Sequence, residues 1–126
     1  MNGDILFFFR DHMGALPLYE ALEAAVLARL PDTVIKVAKT QITFANRRGF
    51  AFVSFNPCRR AKDRPPVWMT VSFGLDHRAE DRRIDVATEP YPNRWTHHVM
   101  VGAAEEIDSQ LLDWITAAAE FAASKR

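Results

Sequence analysis

The sequence predicts an α+β domain: an antiparallel sheet of about five strands, flanked by an N-terminal helix and a C-terminal helix that pack on one of its faces. Three observations carry this. Residues 34–101 are rich in β-branched and aromatic residues broken by turn formers. The segments on either side show apolar residues at helical spacing. No helix-length pattern falls between the strands, which argues against parallel crossovers. With 126 residues, 48% hydrophobic and 25% charged, the chain has the size and balance of one folded unit, so residues 1–126 are read as a single domain.

In chain order, Asp4 can cap a short helix through Ile5 to Arg10, although three consecutive phenylalanines suit a buried strand equally and periodicity does not decide over so few residues. Pro17 then opens an amphipathic helix that places Leu18, Leu22, Val26 and Leu30 on one side, turns Glu20 and Glu23 away, and ends at Pro31. Strands are expected at Val34–Lys39, Gln41–Ala45, Gly49–Asn56, Val67–Gly74 and Arg94–Val101. Asn46-Arg47-Arg48-Gly49 is short enough to be a hairpin turn. Two longer connections read as surface loops: Pro57–Pro66, carrying Arg59, Arg60, Lys62 and Arg64, and Leu75–Asn93, with room for a short strand near Arg83–Ala87. Asp108 is a good N-cap, and Ile107 can meet Leu112 as a hydrophobic staple. The helix they launch turns Leu111, Trp114, Ile115, Ala118, Phe121 and Ala122 inward.

Strand side chains alternate between faces. Val67, Met69, Val71 and Phe73 form one apolar row, and Trp95, Val99 and Val101, with His97 among them, form another; both belong against the helices. The second face is mixed, with Trp68, Thr70 and Ser72, then Thr96, His98 and Met100, then Phe50, Phe52 and Ser54. Aromatic rings among small hydroxyls suit a surface that touches something.

The one cysteine, Cys58, excludes an intramolecular disulfide and points to a reducing, cytoplasmic setting. No apolar run has membrane-spanning length, so no membrane partner is expected, and no targeting signal is visible. Formal net charge is zero, yet residues 36–98 hold twelve Lys and Arg against six Asp and Glu. That surplus can attract phosphates or an acidic partner, or simply line solvated loops.

The sharpest motif, Arg48-Gly49-Phe50-Ala51-Phe52-Val53-Ser54-Phe55, resembles the RNP1 octamer of RNA-recognition-motif domains at every position. In that family alternate aromatics stack exposed bases. The order of elements departs from the family: a proline-bounded basic loop and another strand follow where a helix should. Ile5–Phe9, the one stand-in for RNP2, lacks that motif's usual Gly or Asn. His97 and His98 point to opposite faces and cannot share a metal, so no metal site is expected. His97 is read as a hydrogen-bonded, half-buried neighbour of Trp95, and His98 as the better candidate for ligand contact or proton transfer. Cys58, Ser54 and Ser72 lie in no nucleophile-elbow pattern, glycines are scattered singly, and the carboxylates between Asp76 and Glu89 are interleaved with arginines. No cofactor is implied and no catalytic residue stands out.

Pro17-Leu18-Tyr19-Glu20-Ala21-Leu22, Lys39-Thr40-Gln41-Ile42-Thr43-Phe44, Arg47-Arg48-Gly49-Phe50-Ala51, Val71-Ser72-Phe73-Gly74, Arg94-Trp95-Thr96-His97-His98 and Glu106-Ile107-Asp108, leading into Leu111-Leu112-Asp113-Trp114-Ile115, follow one another in an order that resembles a bacterial domain-of-unknown-function family, number 5655. The likeness covers nearly the whole chain. It implies a compact α+β domain with no established reaction and no catalytic residues to carry over.

The leading expectation is therefore a non-enzymatic binding or interaction domain that uses the second face, with a homodimer across it as one form. Candidate contact residues are Arg48, Phe50, Phe52, Trp68, Thr70 and His98. Single-stranded nucleic acid bound through Arg48, Phe50, Phe52 and the basic loop is the second expectation. A small-ligand or enzymatic site around His98, which needs a concave pocket, is the third.

Overall fold

The computed structural model describes residues 3–124. The first helix, α1 (Gly3–Phe8), resolves the phenylalanine run: helical rotation leaves Phe7 in solvent and buries Ile5 and Phe8, with Phe9 buried just beyond. Helix α2 (Leu16–Arg29) carries Pro17 in its first turn and buries Leu18, Tyr19, Leu22 and Val26. Glu20 is exposed, whereas Glu23 is half-buried rather than turned fully away.

Six strands follow: β1 (Val34–Val37), β2 (Ile42–Ala45), β3 (Gly49–Ser54), β4 (Met69–Leu75), β5 (Val86–Tyr91) and β6 (Arg94–Val101). They form one antiparallel sheet in the order β1-β2-β3-β4-β6-β5. The additional strand, β5, lies on an edge, which is why it tolerates Pro90 and is mostly exposed. Pro92 and Asn93 turn it into β6. Asn93 takes a positive φ of 62°, a conformation asparagine accepts more readily than most residues, and its N–H is held by Glu89 at 3.1 Å.

Helix α3 (Ser109–Ser124) begins as its sequence requires, with the Asp108 carboxylate accepting the Leu111 N–H at 3.1 Å. It buries Leu111, Ile115, Ala118, Ala119 and Ala122 against the same sheet face that α2 covers. From the sheet this core receives Ile42, Phe44, Ala51, Val53, Met69, Val71, Phe73, Leu75, Val99 and Val101. Both helices thus occupy one face. Among the described residues no helix is long and apolar enough to cross a membrane.

The hairpin between β2 and β3 departs from simple alternation. Phe44 pairs with Ala51 but Ala45 pairs with Gly49, so Phe50 is an extra residue on its strand. Such a bulge breaks the two-residue period. Phe50 is only 2% exposed and joins the helix-side core, where it lies near Ala119. The turn is anchored to the same helix by Asn46, whose amide donates to the Ala119 carbonyl at 2.8 Å. The expectation that Phe50 shares the second face with Phe52 is therefore corrected.

Candidate functional site

The strand register assembles one continuous row across the face that bears no helix: Lys36, Thr43, Phe52, Ser72, His98 and Val86, one residue from each strand. At its centre the Ser72 hydroxyl meets His98 Nδ1 at 2.7 Å. Burial holds the His98 ring below the ordinary histidine pKa, which favours its neutral form, able to exchange hydrogen bonds or accept a proton. Phe52 is half-buried, and its position depends on Gly49. A Cβ there would come within 3.0 Å of both the Phe52 ring and the Thr43 methyl.

Toward one end of the sheet the face is closed by the loop from Pro57 to Pro66. The Thr70 hydroxyl donates to the Asn56 carbonyl at 2.8 Å. Asp85, just before β5, accepts the Met100 N–H at 3.3 Å, the Arg59 Nε–H at 2.9 Å and the Cys58 thiol at 3.6 Å. Pro65 sits so close to Gly102 that a Cβ on the glycine would lie 2.6 Å from the proline ring. Ser54, Thr70 and Met100 are buried as a result. The basic loop is thus docked. Burial first, and then the Asp85 carboxylate, push the Cys58 thiol above its ordinary pKa, so it stays protonated and is a poor nucleophile.

Trp68 precedes β4 instead of lying within it. Its ring meets Phe55 at 5.7 Å and His12 at 6.0 Å, with the Arg64 guanidinium 5.5 Å from its centre. It belongs to an aromatic cluster at the α1 end of the molecule, because His12 stacks on Phe55 at 3.9 Å and draws that corner together. Trp68 is therefore corrected from the second face to this cluster. Val67, expected in the helix-side row, is exposed beside Gly14.

At the opposite, hairpin end the face opens into a cleft of about 320 Å³. Phe52 and Thr96 form its sides, and Gly74 is its floor: a Cβ there would approach nothing nearer than the Trp95 carbonyl at 4.0 Å. Arg48, Arg94 and Tyr91 stand at its rim, with Arg94 stacked on the Tyr91 ring at 5.8 Å. The cleft rounds the end of the sheet to its helix side, where Phe50, Leu75 and Trp95, with Ala118, Phe121 and Ala122 of α3, supply its apolar lining. Of the six candidates, Arg48, Phe50 and Phe52 line this cleft, His98 lies in the same row as Phe52 beyond its partner Ser72, and Thr70 and Trp68 lie elsewhere. Gly74, Thr96, Tyr91 and Arg94 were not singled out by the sequence reasoning. The available signal was Gly74, since a glycine inside a strand often marks a close approach to the backbone.

On the helix side His97 is fully buried rather than half-buried as expected, because it lies between the Phe73 ring and the 76–85 loop. The Ala79 N–H donates to its Nε2 at 2.9 Å, and its ring stacks on Phe73 at 5.1 Å, with Trp114 also stacked on that phenylalanine at 5.4 Å. Its bond to Ala79 makes it a strut for the 76–85 loop. Among the described residues no group of three or more His, Cys, Asp or Glu is placed to hold a metal.

Fold and site together define a one-sided α+β domain: two helices on one face of an antiparallel sheet, and a half-covered second face ending in an arginine-rimmed cleft. The chain belongs to the family described as "Domain of unknown function (DUF5655)", whose model matches residues 8–122. Neither the curated proteins nor the solved structures contain a significant match to it.

Proposed function

We propose that this chain is a non-enzymatic binding domain whose ligand is a small organic anion, a carboxylate or phosphate on an apolar ring, held in the cleft at the hairpin end of the second face. The observation that carries this reading is the conjunction of a bare Gly74 floor, the Phe52 ring and the Arg94 rim in one concavity. Its volume of about 320 Å³ lies within the size of ordinary ligand pockets. Phe52 and the apolar lining take the ring, the arginines favour the anion, and Thr96 adds a hydroxyl. The basic surplus of residues 36–98 points the same way.

A binding role is supported over catalysis by the state of the nucleophile candidates. Cys58 is held protonated against Asp85, and Ser72, whose hydroxyl meets the His98 ring, is buried and does not line the cleft. A base-stacking platform for nucleic acid draws less support, since Phe50 and Trp68 are committed to packing and Arg59 and Arg60 pair with Asp85 and Asp63.

Calorimetric titration with phenyl phosphate, and with phenol as its uncharged counterpart, tests the reading. Saturable binding of phenyl phosphate is expected, weakened about tenfold in Arg94→Ala and in Phe52→Ala, with phenol much weaker. Equal binding of phenol and phenyl phosphate, or wild-type affinity in both variants, contradicts it. Oligothymidylate binding with a steep salt dependence would favour the nucleic-acid reading instead.

A further inference from the structure

The sheet ends in two edge strands, β1 and β5, and they are not alike. β5 carries Glu89 and Pro90, and its pairing with β6 slips between Thr88 and Tyr91. A proline and an irregular register both hinder the addition of a further strand. β1 has neither: it pairs with β2 in unbroken register, from Val34 with Ala45 to Val37 with Ile42. The Ala38 N–H continues that register, donating to the Gln41 carbonyl at 2.8 Å. Hydrogen-bonded pairs alternate along an antiparallel ladder, so Val34 and Lys36 turn their main-chain groups toward β2, and Ile35 and Val37 turn theirs outward. Among the described residues no strand lies on that outer side. The side chains of Ile35 and Val37 lean to the helix face, beside Glu20, Glu23 and Leu27 of α2, whereas Val34 and Lys36 lean to the second face and are exposed.

We infer that the outer side of β1 is a docking edge for an extended segment of another protein, added antiparallel as one more strand, with an acidic side chain opposite Lys36 and apolar ones opposite Val34, Ile35 and Val37. Charge and register select this occupant over a second copy of the chain. Two β1 strands exchange all their outward groups only when Ile35 faces Val37 of the second copy. That register sets Lys36 directly opposite itself, in the kind of pair whose side chains come closest, and like charges there repel. Setting Ile35 opposite itself instead calls on Thr33, whose N–H is already held by the Leu30 carbonyl at 3.1 Å. Setting Val37 opposite itself calls on Lys39, beyond the strand. An acidic residue facing Lys36 turns the repulsion into attraction, while Glu20 and Glu23 keep acids out of the helix-side positions. Read from its N-terminus, the docked segment is therefore apolar, acidic, apolar, apolar. No residue of β1 lines the arginine-rimmed cleft, so this edge acts independently of it.

Amide-detected NMR titration of the full chain with the end-capped peptide Ser-Val-Glu-Ile-Val-Ser tests the inference. Saturable shifts centred on residues 34–37 are expected. Hydrogen exchange should slow at the Ile35 and Val37 amides, which gain a partner, by about tenfold when free peptide is ten times its dissociation constant. Methylating the peptide's isoleucine nitrogen removes the donor that faces the Ile35 carbonyl and should abolish binding. Replacing the peptide's glutamate with lysine should weaken binding about fivefold, and Lys36→Glu, an exposed position whose change spares the fold, should reverse that preference. Equal affinity for the two peptides, binding that survives the methylation, or unslowed exchange at Ile35 and Val37 overturns the inference. So does the lack of any saturable shift at millimolar peptide. Protection of those two amides that grows with protein concentration alone would give the edge to a second copy, and overturns it as well.

Discussion

Single residues hold this molecule in its working shape, some by packing and some by charge. Gly49 is the clearest case, because its missing Cβ is what lets the Phe52 ring lie beside Thr43. Gly49→Ala should displace that ring and cost about 1 kcal/mol in urea denaturation, with weaker phenyl phosphate binding as its second effect. His97 makes stability depend on pH. Burial, reinforced by His77, His98 and Arg78, lowers its pKa in the folded state. The unfolded chain therefore takes up the proton first. Stability should be full above the ordinary histidine value of about 6.5 and fall as pH drops from there through the folded-state pKa. His98, lowered by burial, acts in the same direction. Urea midpoints between pH 7.5 and 5 check this, and His97→Gln should flatten the dependence even if it lowers the midpoint at every pH. An unchanged slope would show that His97 does not carry it. Asp85→Asn removes the negative charge and one of the two carboxylate oxygens that hold Arg59 and Cys58. Thiol labelling of Cys58 at pH 8 should then accelerate by about tenfold or more, from a freed loop and a lowered thiol pKa acting together.

At the scale of elements, the 57–66 loop and the start of α3 are the two places where one substitution reports on a whole segment. In Gly102→Ala the new methyl would stand 2.6 Å from Pro65, which must move, so the loop should undock at a cost of about 1–3 kcal/mol and expose Met100. Hydrogen exchange at Thr70 and Met100 reads this directly. Asp108 both caps α3 and accepts from Arg83 at 2.8 Å. Asp108→Ala should cost about 1–2 kcal/mol. That cap was legible from Asp108 and its staple residues alone, as were the two main helices and the apolar rows, because period and capping chemistry are local. The bulge was not. It arises where the 46–48 turn is pinned to α3 through Asn46 and Ala119, residues 73 positions apart, and no strand pattern encodes that tie. Strand β5 was seen only as a short stretch near its start, because an exposed edge containing Glu89 and Pro90 lacks the apolar alternation by which strands are recognised.

For the molecule as a whole, asymmetry organises function. All helical cover lies on one face, the docked basic loop closes part of the other, and what stays partly accessible is Phe52 and His98, on either side of the buried Ser72, and the cleft beyond them. The sequence located that face correctly through Phe52, Ser72, Thr96 and His98. It overstated the aromatic content, because Phe50 was displaced by the bulge and Trp68 was captured by His12 and Phe55. The concavity at the hairpin end depends on Gly74, Thr96, Tyr91 and Arg94 coming together across three strands, which only the register reveals. The most direct test is a map of amide shifts as phenyl phosphate is added to the full chain. Saturable changes at residues 49–52, 74 and 94–96, weakened together by about tenfold in Arg94→Ala, are the predicted result; shifts that fall elsewhere, or saturate at the wild-type concentration in that variant, would contradict a ligand site at the open end of the sheet.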